Sequence, residues 1–329
     1  GATIIVYSNT GTQIGSMISD NSASFQHTLK TKGKDYPLIL EVNGGIDLVT
    51  GSEPDFQMLS VMMNPSEKQV NINPFSTLVV KIAQSLPGGI DQNNISLAKS
   101  IITDKLSFGL DLNSVPDPIT SAITESNVAT LVKAREALGE MVRRTRDRIS
   151  GAGTTLSGDD VVAAIAADMT DGVLDGVGAA GTVRRIAAVA NVVSGQVLVE
   201  ALSNNLKVGG IIATGVIDQA IAITNSSILS SQLTDSVRIT QGMLKQARVA
   251  LAATQVLDSS QPVKDIGNKV ASVQADVLPQ DVATVLPADA SYTLDYAVVL
   301  SSTVDDTQLS AVNEMVSSGG EAGTTSLNS

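Results

Sequence analysis

Three aspartates in one short stretch are the residues whose type and spacing come closest to a ligand site. Asp168, Asp171 and Asp175 alternate with Gly172 and Gly176, and carboxylate oxygens in a turn are ligands that calcium prefers. The spacing is not that of an EF-hand loop. The favoured interpretation is therefore a helix end with solvated acids, with a calcium site as the alternative, and no other cofactor is predicted.

Two short motifs resemble catalytic signatures, but neither has the context that its chemistry needs. Residues 176–181, Gly-Val-Gly-Ala-Ala-Gly, match a dinucleotide-binding pattern, which requires a preceding strand, whereas a helix and an acidic turn are predicted here. Residues 96–99, Ser-Leu-Ala-Lys, lack the companion motifs of serine acyl-enzymes. The chain has no cysteine, and His27 is its single histidine, which excludes thiol catalysis and histidine-rich zinc sites. We predict that the chain is not an enzyme.

Composition narrows the set of partners. With 33 acidic and 21 basic residues, the formal charge is -12, which repels nucleic acids and anionic lipid surfaces. Aromatic residues make up only 2% of the chain, so stacking sites for bases or sugars are scarce. The longest apolar runs, 186–199 and 208–217, are shorter than the roughly 20 residues that span a bilayer. No nucleic acid and no transmembrane segment is predicted.

The segment 131–148 is a basic stretch within this acidic chain. Its cations are Lys133, Arg135, Arg143, Arg144, Arg146 and Arg148, set against Glu136, Glu140 and Asp147. A solvated helix face is the favoured interpretation. A contact with an acidic neighbour is the alternative, because patches of unlike charge steer association.

The pattern of the chain changes near Asn73. Before it, short alternating segments separated by turn residues predict strands at 2–7, 12–19, 24–29, 36–42 and 56–62. After it, apolar residues recur at helical spacing and predict helices at 75–86, 94–107, 125–149, 158–170, 181–204, 209–224, 240–256 and 306–316. Asn73-Pro74 and the pair Ser157 and Asp160 are the predicted helix starts with capping chemistry.

We therefore expect an α+β protein with three parts. Residues 1–72 are predicted to form an antiparallel β-sandwich of immunoglobulin-like or transthyretin-like type, and residues 73–290 a mainly α-helical domain. Residues 291–329 are predicted to hold a strand at 292–300, a short helix and an extended tail from Ser317 with the composition of a flexible linker.

The first part resembles the carboxypeptidase-regulatory-like or collagen-adhesin B-type sandwich. The segments that carry this resemblance are Gly1–Ser8, Asn9–Gly11, Gln13–Ser16, Ser24–Phe25 and Leu38–Val42. Two later segments, Val70–Val80 and Leu156–Gly176, are similar to the helical region that accompanies this sandwich in large bacterial surface proteins and lipoproteins. The resemblance implies an extracellular, non-catalytic role at a bacterial cell surface.

One departure from the resembling family points to assembly. The related sandwiches have a strand before the segment that matches Gly1–Ser8, and this chain begins at that segment, as a processed polypeptide would. We expect an open acceptor edge at Ile4 and Val6, because unpaired strand edges attract extended backbone. The predicted donor is the strand 292–300, with the tail after Ser317 as the second choice. The donor positions are Tyr292, Leu294, Tyr296, Val298 and Leu300.

These expectations lead to a structural rather than a catalytic prediction. The chain is predicted to be a self-assembling filament or sheath subunit whose partners are copies of itself, joined by β-strand addition, with attachment to other surface components as a further possibility. The alternative is a monomeric adhesin or a stalk fragment of a larger surface protein, stabilised by calcium. Within either alternative, the strand 292–300 could instead complete the sheet of its own subunit.

Overall fold

A computed structural model describes residues 1–213, 237–287, 289–294 and 304–321, and it is a mixed α and β structure. A four-stranded antiparallel sheet comes first along the chain. A helical region follows it, and most of the buried apolar side chains lie there in one continuous cluster. The predicted order of sheet and then helices is confirmed.

The sheet is formed by β1 (Thr3–Tyr7), β2 (Gln13–Ile18), β3 (Leu38–Asn43) and β4 (Met58–Met62). Its spatial order is β2-β1-β3-β4, and every neighbouring pair is antiparallel. Four of the five predicted strands are therefore present. The alternation of β1 gives one strongly buried face, since Ile4 and Val6 pack with Leu38 and Leu40.

Within the described residues the N-terminal part is a single four-stranded sheet, and the second sheet of the predicted sandwich is not shown there. Residues 24–29, expected to be a strand, join no ladder, and this irregular segment covers the buried face of the sheet with Phe25 and Leu29. Val70 and Ile72 cover the same face. A side-chain Cβ at Gly15 would lie 2.3 Å from the Leu29 Cδ2 atom, so glycine permits this close approach. The cover is thus a loop rather than a second sheet.

The helical region begins with α1 (Pro74–Ser85), α2 (Gln92–Lys105), α3 (Val128–Gly151), α4 (Gly158–Asp168) and α5 (Arg184–Leu202). A short hairpin follows, with strands β5 (Lys207–Val208) and β6 (Ile211–Ile212). The later helices are α6 (Gln241–Leu257), α7 (Gln261–Ser272), α8 (Pro279–Ala283) and α9 (Asp306–Ser317). Short 3-10 helices occur at Gly33–Asp35 and Met169–Asp171.

Two helix starts use the capping chemistry predicted from the sequence. The Asn73 side chain accepts a hydrogen bond from Ser76 N at 2.9 Å, and the Ser76 hydroxyl accepts one from Asn73 N at 2.9 Å. The hydroxyl of Ser157 and the carboxylate of Asp160 form the same reciprocal arrangement at the start of α4. Both predictions are confirmed, because capping depends on residues only three positions apart.

Helix α5 lies in the middle of the helical region. It contacts α3, α6 and α9, and its residues from Ile186 to Leu202 are buried. By length and composition Arg184–Leu202 could cross a membrane, but 94% of its apolar window is buried inside the protein. Small and β-branched residues dominate its sequence, so its neighbours approach closely over its whole length.

The helix predicted at 209–224 is wrong where the structure describes it. Gly209 and Gly210 have positive φ angles and form the turn of the β5–β6 hairpin. Two adjacent glycines favour such a turn over a helix start. The remainder of this prediction, from residue 214, lies outside the described residues.

The prediction of a strand at 292–300 is also wrong at its start. Residues 290–294 are helical, and Thr293 N donates to Asp289 O at 3.0 Å. Tyr292 is exposed, whereas Leu294 is buried in the main apolar cluster. An alternation of three residues is too short to distinguish a strand from one helical turn. The other donor positions, Tyr296, Val298 and Leu300, lie outside the described residues.

The beginning of the predicted tail ends a helix. Gly319 N donates to Val316 O at 2.9 Å and Gly320 N donates to Met315 O at 3.0 Å. Both glycines have positive φ angles, as expected for a glycine-rich helix end. Residues 318–321 therefore continue the fold of α9, and residues 322–329 lie outside the described part of the chain.

Candidate functional site

The predicted acceptor edge at Ile4 and Val6 is wrong, because β1 is an interior strand. It pairs with β2 on one side and β3 on the other. The side chains of Ile4 and Val6 are 2% and 0% exposed, in the core beneath the sheet. The strand that follows β1 folds back through the turn at residues 8–12 and fills the position that was expected to be empty.

The β4 edge of the sheet is closed by the first turn of α1. Leu59 N donates to the Thr77 hydroxyl at 2.9 Å, and the Ser76 hydroxyl donates to Leu59 O at 2.6 Å. Both hydroxyl residues are fully buried. Side chains therefore replace the missing neighbouring strand, and no second chain can pair with β4 at Leu59.

The β2 edge has no neighbouring strand among the described residues. Ser19 N donates to Ala2 O at 2.9 Å, so by the alternation of an antiparallel ladder Met17 and Gly15 also direct their backbone groups towards β1. The N–H and C=O groups of Ser16 and Ile18 then point away from the sheet. In the described ranges neither of these two residues has a backbone hydrogen-bond partner on that outer side. Ser16 is exposed, and Ile18 is 72% exposed.

The sequence of this edge lacks most features that protect strand edges. Residues 11–19, Gly-Thr-Gln-Ile-Gly-Ser-Met-Ile-Ser, contain no charged residue and no proline. Natural edges are commonly protected by lysine, proline or a bulge. One irregularity is present, a shift of register opposite Val6 and Tyr7 that affects the first part of β2. From Gly15 to Ile18 the strand is regular and open.

A cluster of ion pairs joins the loop between β3 and β4 to α3. Asp55 accepts from Arg143 Nε at 2.5 Å and from Arg146 Nη1 at 2.6 Å. Burial opposes the ionisation of Asp55, but the hydrogen bonds and charges of the two arginines outweigh it and hold its pKa below the ordinary value. This loop is thereby fixed on the helical region.

The same helix face carries a more deeply buried network. Arg144 bonds Glu140 through Nε at 2.8 Å and Glu200 through its two Nη atoms at 3.1 and 2.7 Å. Glu140 and Glu200 are 3% and 1% exposed. Arg144 also donates to Lys207 O at 2.8 Å, so the network holds the β5–β6 hairpin against α3.

The solvated face expected for the basic segment 131–148 is therefore wrong for Arg143 and Arg144, whose acidic partners belong to the same chain. An excess of cations on one helix of an acidic protein does signal acidic partners. Glu140, three and four residues before Arg143 and Arg144, could be read from the sequence as one of the partners. Asp55 and Glu200 could not, because they are 88 and 56 residues away from the arginines that they bond.

Glu136, one turn earlier on α3, is mostly covered by the protein, with its side chain 11% exposed, and its charge is not fully compensated. Burial raises its pKa to about 7, the charge of Arg135 opposes this rise, and the charge of Asp47 adds to it. The Arg135 Nε atom lies 3.3 Å from the Glu136 carboxylate. Glu136 therefore titrates near neutral pH beside the Asp55 cluster.

The three aspartates do not form a metal site. Within the described ranges there is no group of three or more acidic or histidine side chains placed to hold a metal ion. Asp171 and Asp175 accept from the backbone N–H groups of Val173 and Val177, each two residues ahead. These bonds stabilise turns. The favoured interpretation of a helix end is correct, although Asp168 is buried and not solvated.

Asp168 is a structural carboxyl group. It is fully buried, and its Oδ2 atom accepts from Gly176 N at 3.0 Å. Burial raises its pKa to about 7, the bond from Gly176 opposes the rise, and the nearby charges of Asp175 and Asp171 add to it. The group shapes the turn between α4 and α5.

The glycine-rich stretch 176–181 has no strand before it. It follows the 3-10 helix Met169–Asp171 and leads into α5. A Cβ atom at Gly178 would lie 2.5 Å from Ala167 O, so this glycine serves a close contact with α4. The stretch is the turn between helices that its context predicted.

A cavity of about 130 Å³ lies among α2, α5, α6 and α9, and its walls include Leu106, Val249 and Val316. The polar groups in its lining include Ser194, whose hydroxyl donates to Asn191 O at 2.7 Å. The lining has no histidine and no nucleophile paired with a base.

Comparison with known proteins gives no assignment: no family model, no curated protein and no solved structure matches this chain.

Proposed function

We propose that this chain is a non-enzymatic structural protein of the bacterial cell surface whose copies assemble into a filament or sheath by β-strand addition. The observation that carries this proposal is the contrast at the sheet edges. The outward backbone groups of Ser16 and Ile18 are open on β2, while the corresponding groups of Leu59 on β4 are closed by buried hydroxyls. An open, uncharged edge is a template for another strand.

The extracellular location rests on the resemblance of residues 1–60 to bacterial surface sandwiches. The low aromatic content and the absence of a nucleophile-base pair in the described cavity agree with a protein that performs no chemistry. The start of the expected donor strand is excluded, since residues 290–294 are helical, and the rest of it lies outside the described residues.

A second candidate is a monomeric stalk or adhesin module of a larger surface protein. The ion pairs of Asp55 with Arg143 and Arg146 favour it, because they fix the loop of the sheet on the helical region. A rigid junction between two parts is what a spacer requires.

Light scattering and negative-stain electron microscopy of residues 1–329 over a range of concentrations distinguish the two candidates. Assembly predicts particles that grow with concentration and show a regular repeat. A chain that remains monomeric at every concentration contradicts assembly and supports the stalk module.

A further inference from the structure

We infer that the strand added at β2 is β2 of a second copy, paired antiparallel about a two-fold axis at Met17. This inference rests on the proposed function and deepens it by naming the partner strand and its register. The sheets of two copies then form one continuous sheet, in the order β4-β3-β1-β2 followed by β2-β1-β3-β4 of the second copy.

The register follows from which backbone groups are free. Ser16 and Ile18 direct their N–H and C=O groups outward, as the ladder to β1 requires. Asp20, two residues further on, follows the same alternation, but its N–H is already bonded to Ser24 O at 2.8 Å. A symmetric antiparallel pair must match outward residues with outward residues. Ile14 lies in the register shift opposite Val6 and Tyr7, so Ser16 and Ile18 are the two outward residues available. Centring the pair at Met17 places Ser16 opposite the second copy's Ile18, and Ile18 opposite the second copy's Ser16.

Charge explains why a second copy is the expected occupant. The chain carries a formal charge of -12, so most surfaces of two copies repel each other. Residues 11–19 carry no charge. Two β2 strands can therefore meet without bringing like charges into contact.

Apolar burial acts in the same direction. Ile18 is 72% exposed in one copy. Its ladder partner on β1 is Thr3, and Ser16 pairs with Ile5, so these side chains share the sheet face that is not covered by Phe25 and Leu29. Pairing would cover part of Ile18 with the second copy's strand. A two-fold contact closes on itself, so a filament requires another contact elsewhere on the molecule.

A disulfide test reads the register directly, because the chain has no cysteine of its own. Opposed residues of a hydrogen-bonded antiparallel pair have Cα atoms roughly 5.5 Å apart, within the disulfide range. An equimolar mixture of Ser16→Cys and Ile18→Cys is therefore expected to form a covalent dimer upon mild oxidation. Ser52→Cys, at an exposed serine of the β3–β4 loop, is the matched control and should remain monomeric on a non-reducing gel.

The single variants check the alignment about the axis. Ser16→Cys alone and Ile18→Cys alone should cross-link poorly, since the two copies of either position are about 8 Å apart, two residues along the strand and one strand spacing across it, which is beyond the disulfide range. Ser16→Cys alone giving as much dimer as the mixture would overturn this register, because it would place the axis at Ser16.

Ser16→Lys tests whether the contact forms without a covalent bond. Two lysines would then lie in the contact, one on each side of the axis, so sedimentation equilibrium should show self-association at least tenfold weaker than in the wild type. Ser52→Lys should leave it unchanged. Wild-type association that is insensitive to Ser16→Lys, together with no covalent dimer in the mixture of Ser16→Cys and Ile18→Cys, refutes the β2 contact while leaving assembly through another surface. A wild-type chain that never associates refutes both proposals.

Discussion

The β4 edge and the β2 edge belong to the same sheet but differ in what the chain places beside them. Beside β4 lies the first turn of α1, whose buried hydroxyls at Ser76 and Thr77 bond the backbone of Leu59. Beside β2, at Ser16 and Ile18, no such group is present in the described residues. The outward N–H and C=O groups of an edge strand need hydrogen-bond partners. Side chains supply those partners at β4 because a helix begins next to that edge.

The comparison extends to the surroundings of each edge. The β4 side is held to the helical region by the ion pairs of Asp55 with Arg143 and Arg146. The β2 side has no charged residue from position 11 to position 19. Changes on the β4 side should therefore alter the free energy of unfolding, and changes on the β2 side should alter association.

The largest effect on stability is expected from Asp55→Ala. It leaves Arg143 and Arg146 without a shared, partly buried carboxylate, which should lower the free energy of unfolding by about 2–3 kcal/mol, somewhat less than the loss of a fully buried pair. Urea unfolding at pH 7 measures the change. Glu53→Ala removes an exposed carboxylate of the same loop and is the control. Equal stability of both variants would mean that the ion pairs do not hold the loop.

The next largest effect is expected from Glu136, whose titration makes the free energy of unfolding depend on pH. The raised pKa of Glu136, about 7, means that the folded state holds a proton that the unfolded state has lost above its ordinary value near 4.5. Stability should therefore fall as the pH rises from 4.5 to 7, by roughly 1–3 kcal/mol. Glu136→Gln should reduce this slope in urea titrations at several pH values. An unchanged slope assigns the dependence to other groups, such as Asp168.

The lowered pKa of Asp55 has the opposite sign. Its contribution to stability is present above the unfolded value near 3.8 and is lost as the pH falls through its lower folded value. The free energy of unfolding of Asp55→Ala should therefore decrease less steeply than that of the wild type as the pH falls below 4. No group on residues 11–19 of the β2 edge titrates, so the β2 contact itself supplies no pH dependence to association.

A smaller loss is expected from Thr77→Val, which keeps the shape of the side chain and removes the acceptor of Leu59 N. An unpaired buried N–H costs about 1–3 kcal/mol, and the lower half of that range is expected because Thr77 is a single partner. Thermal unfolding measures it. Thr103→Val, at a hydroxyl on α2 that is not fully buried, should cost less. If the two variants lose the same free energy of unfolding, the hydrogen bond from Leu59 N to the Thr77 hydroxyl does not stabilise the β4 edge.

The smallest effect on stability is expected on the open side. Ser16→Ala removes an exposed hydroxyl and no described hydrogen bond, so the free energy of unfolding of the monomer should change by less than about 0.5 kcal/mol. Measurement at a concentration below that of association isolates the monomer. A loss as large as that of Thr77→Val would show that β2 already has a partner within its own chain.

Local features were predictable because their causes lie within a few residues. Asn73 and Ser157 were recognisable as caps, since their partners stand three positions away. Long periodic helices such as α5 and α6 were predicted close to their observed bounds. Helix α7 was missed although Pro262 opens it and Val263, Ile266 and Val270 lie on one face, so the signal was present.

The strands of the candidate site could be predicted from the sequence, but their order in the sheet could not. Alternation identified β1 and β2 as strands, yet nothing in either segment states which one has neighbours on both sides, because pairing order depends on how the chain returns. The distant partners of Arg143 and Arg144, Asp55 and Glu200, were hidden for the same reason. The pairs of these arginines with Glu140 join residues one helical turn apart, so they could be read from the sequence.

By itself the sequence determined the strands of the sheet, the succession of sheet and helices, the helix caps, and the uncharged character of residues 11–19, since each depends on residue type and short spacing. Only the tertiary structure decided that β1 is interior, that α1 closes β4 at Leu59, and that β2 has no neighbouring strand among the described residues. Those outcomes depend on backbone hydrogen bonds between distant segments, and every backbone carries the same donors and acceptors whatever its side chains are.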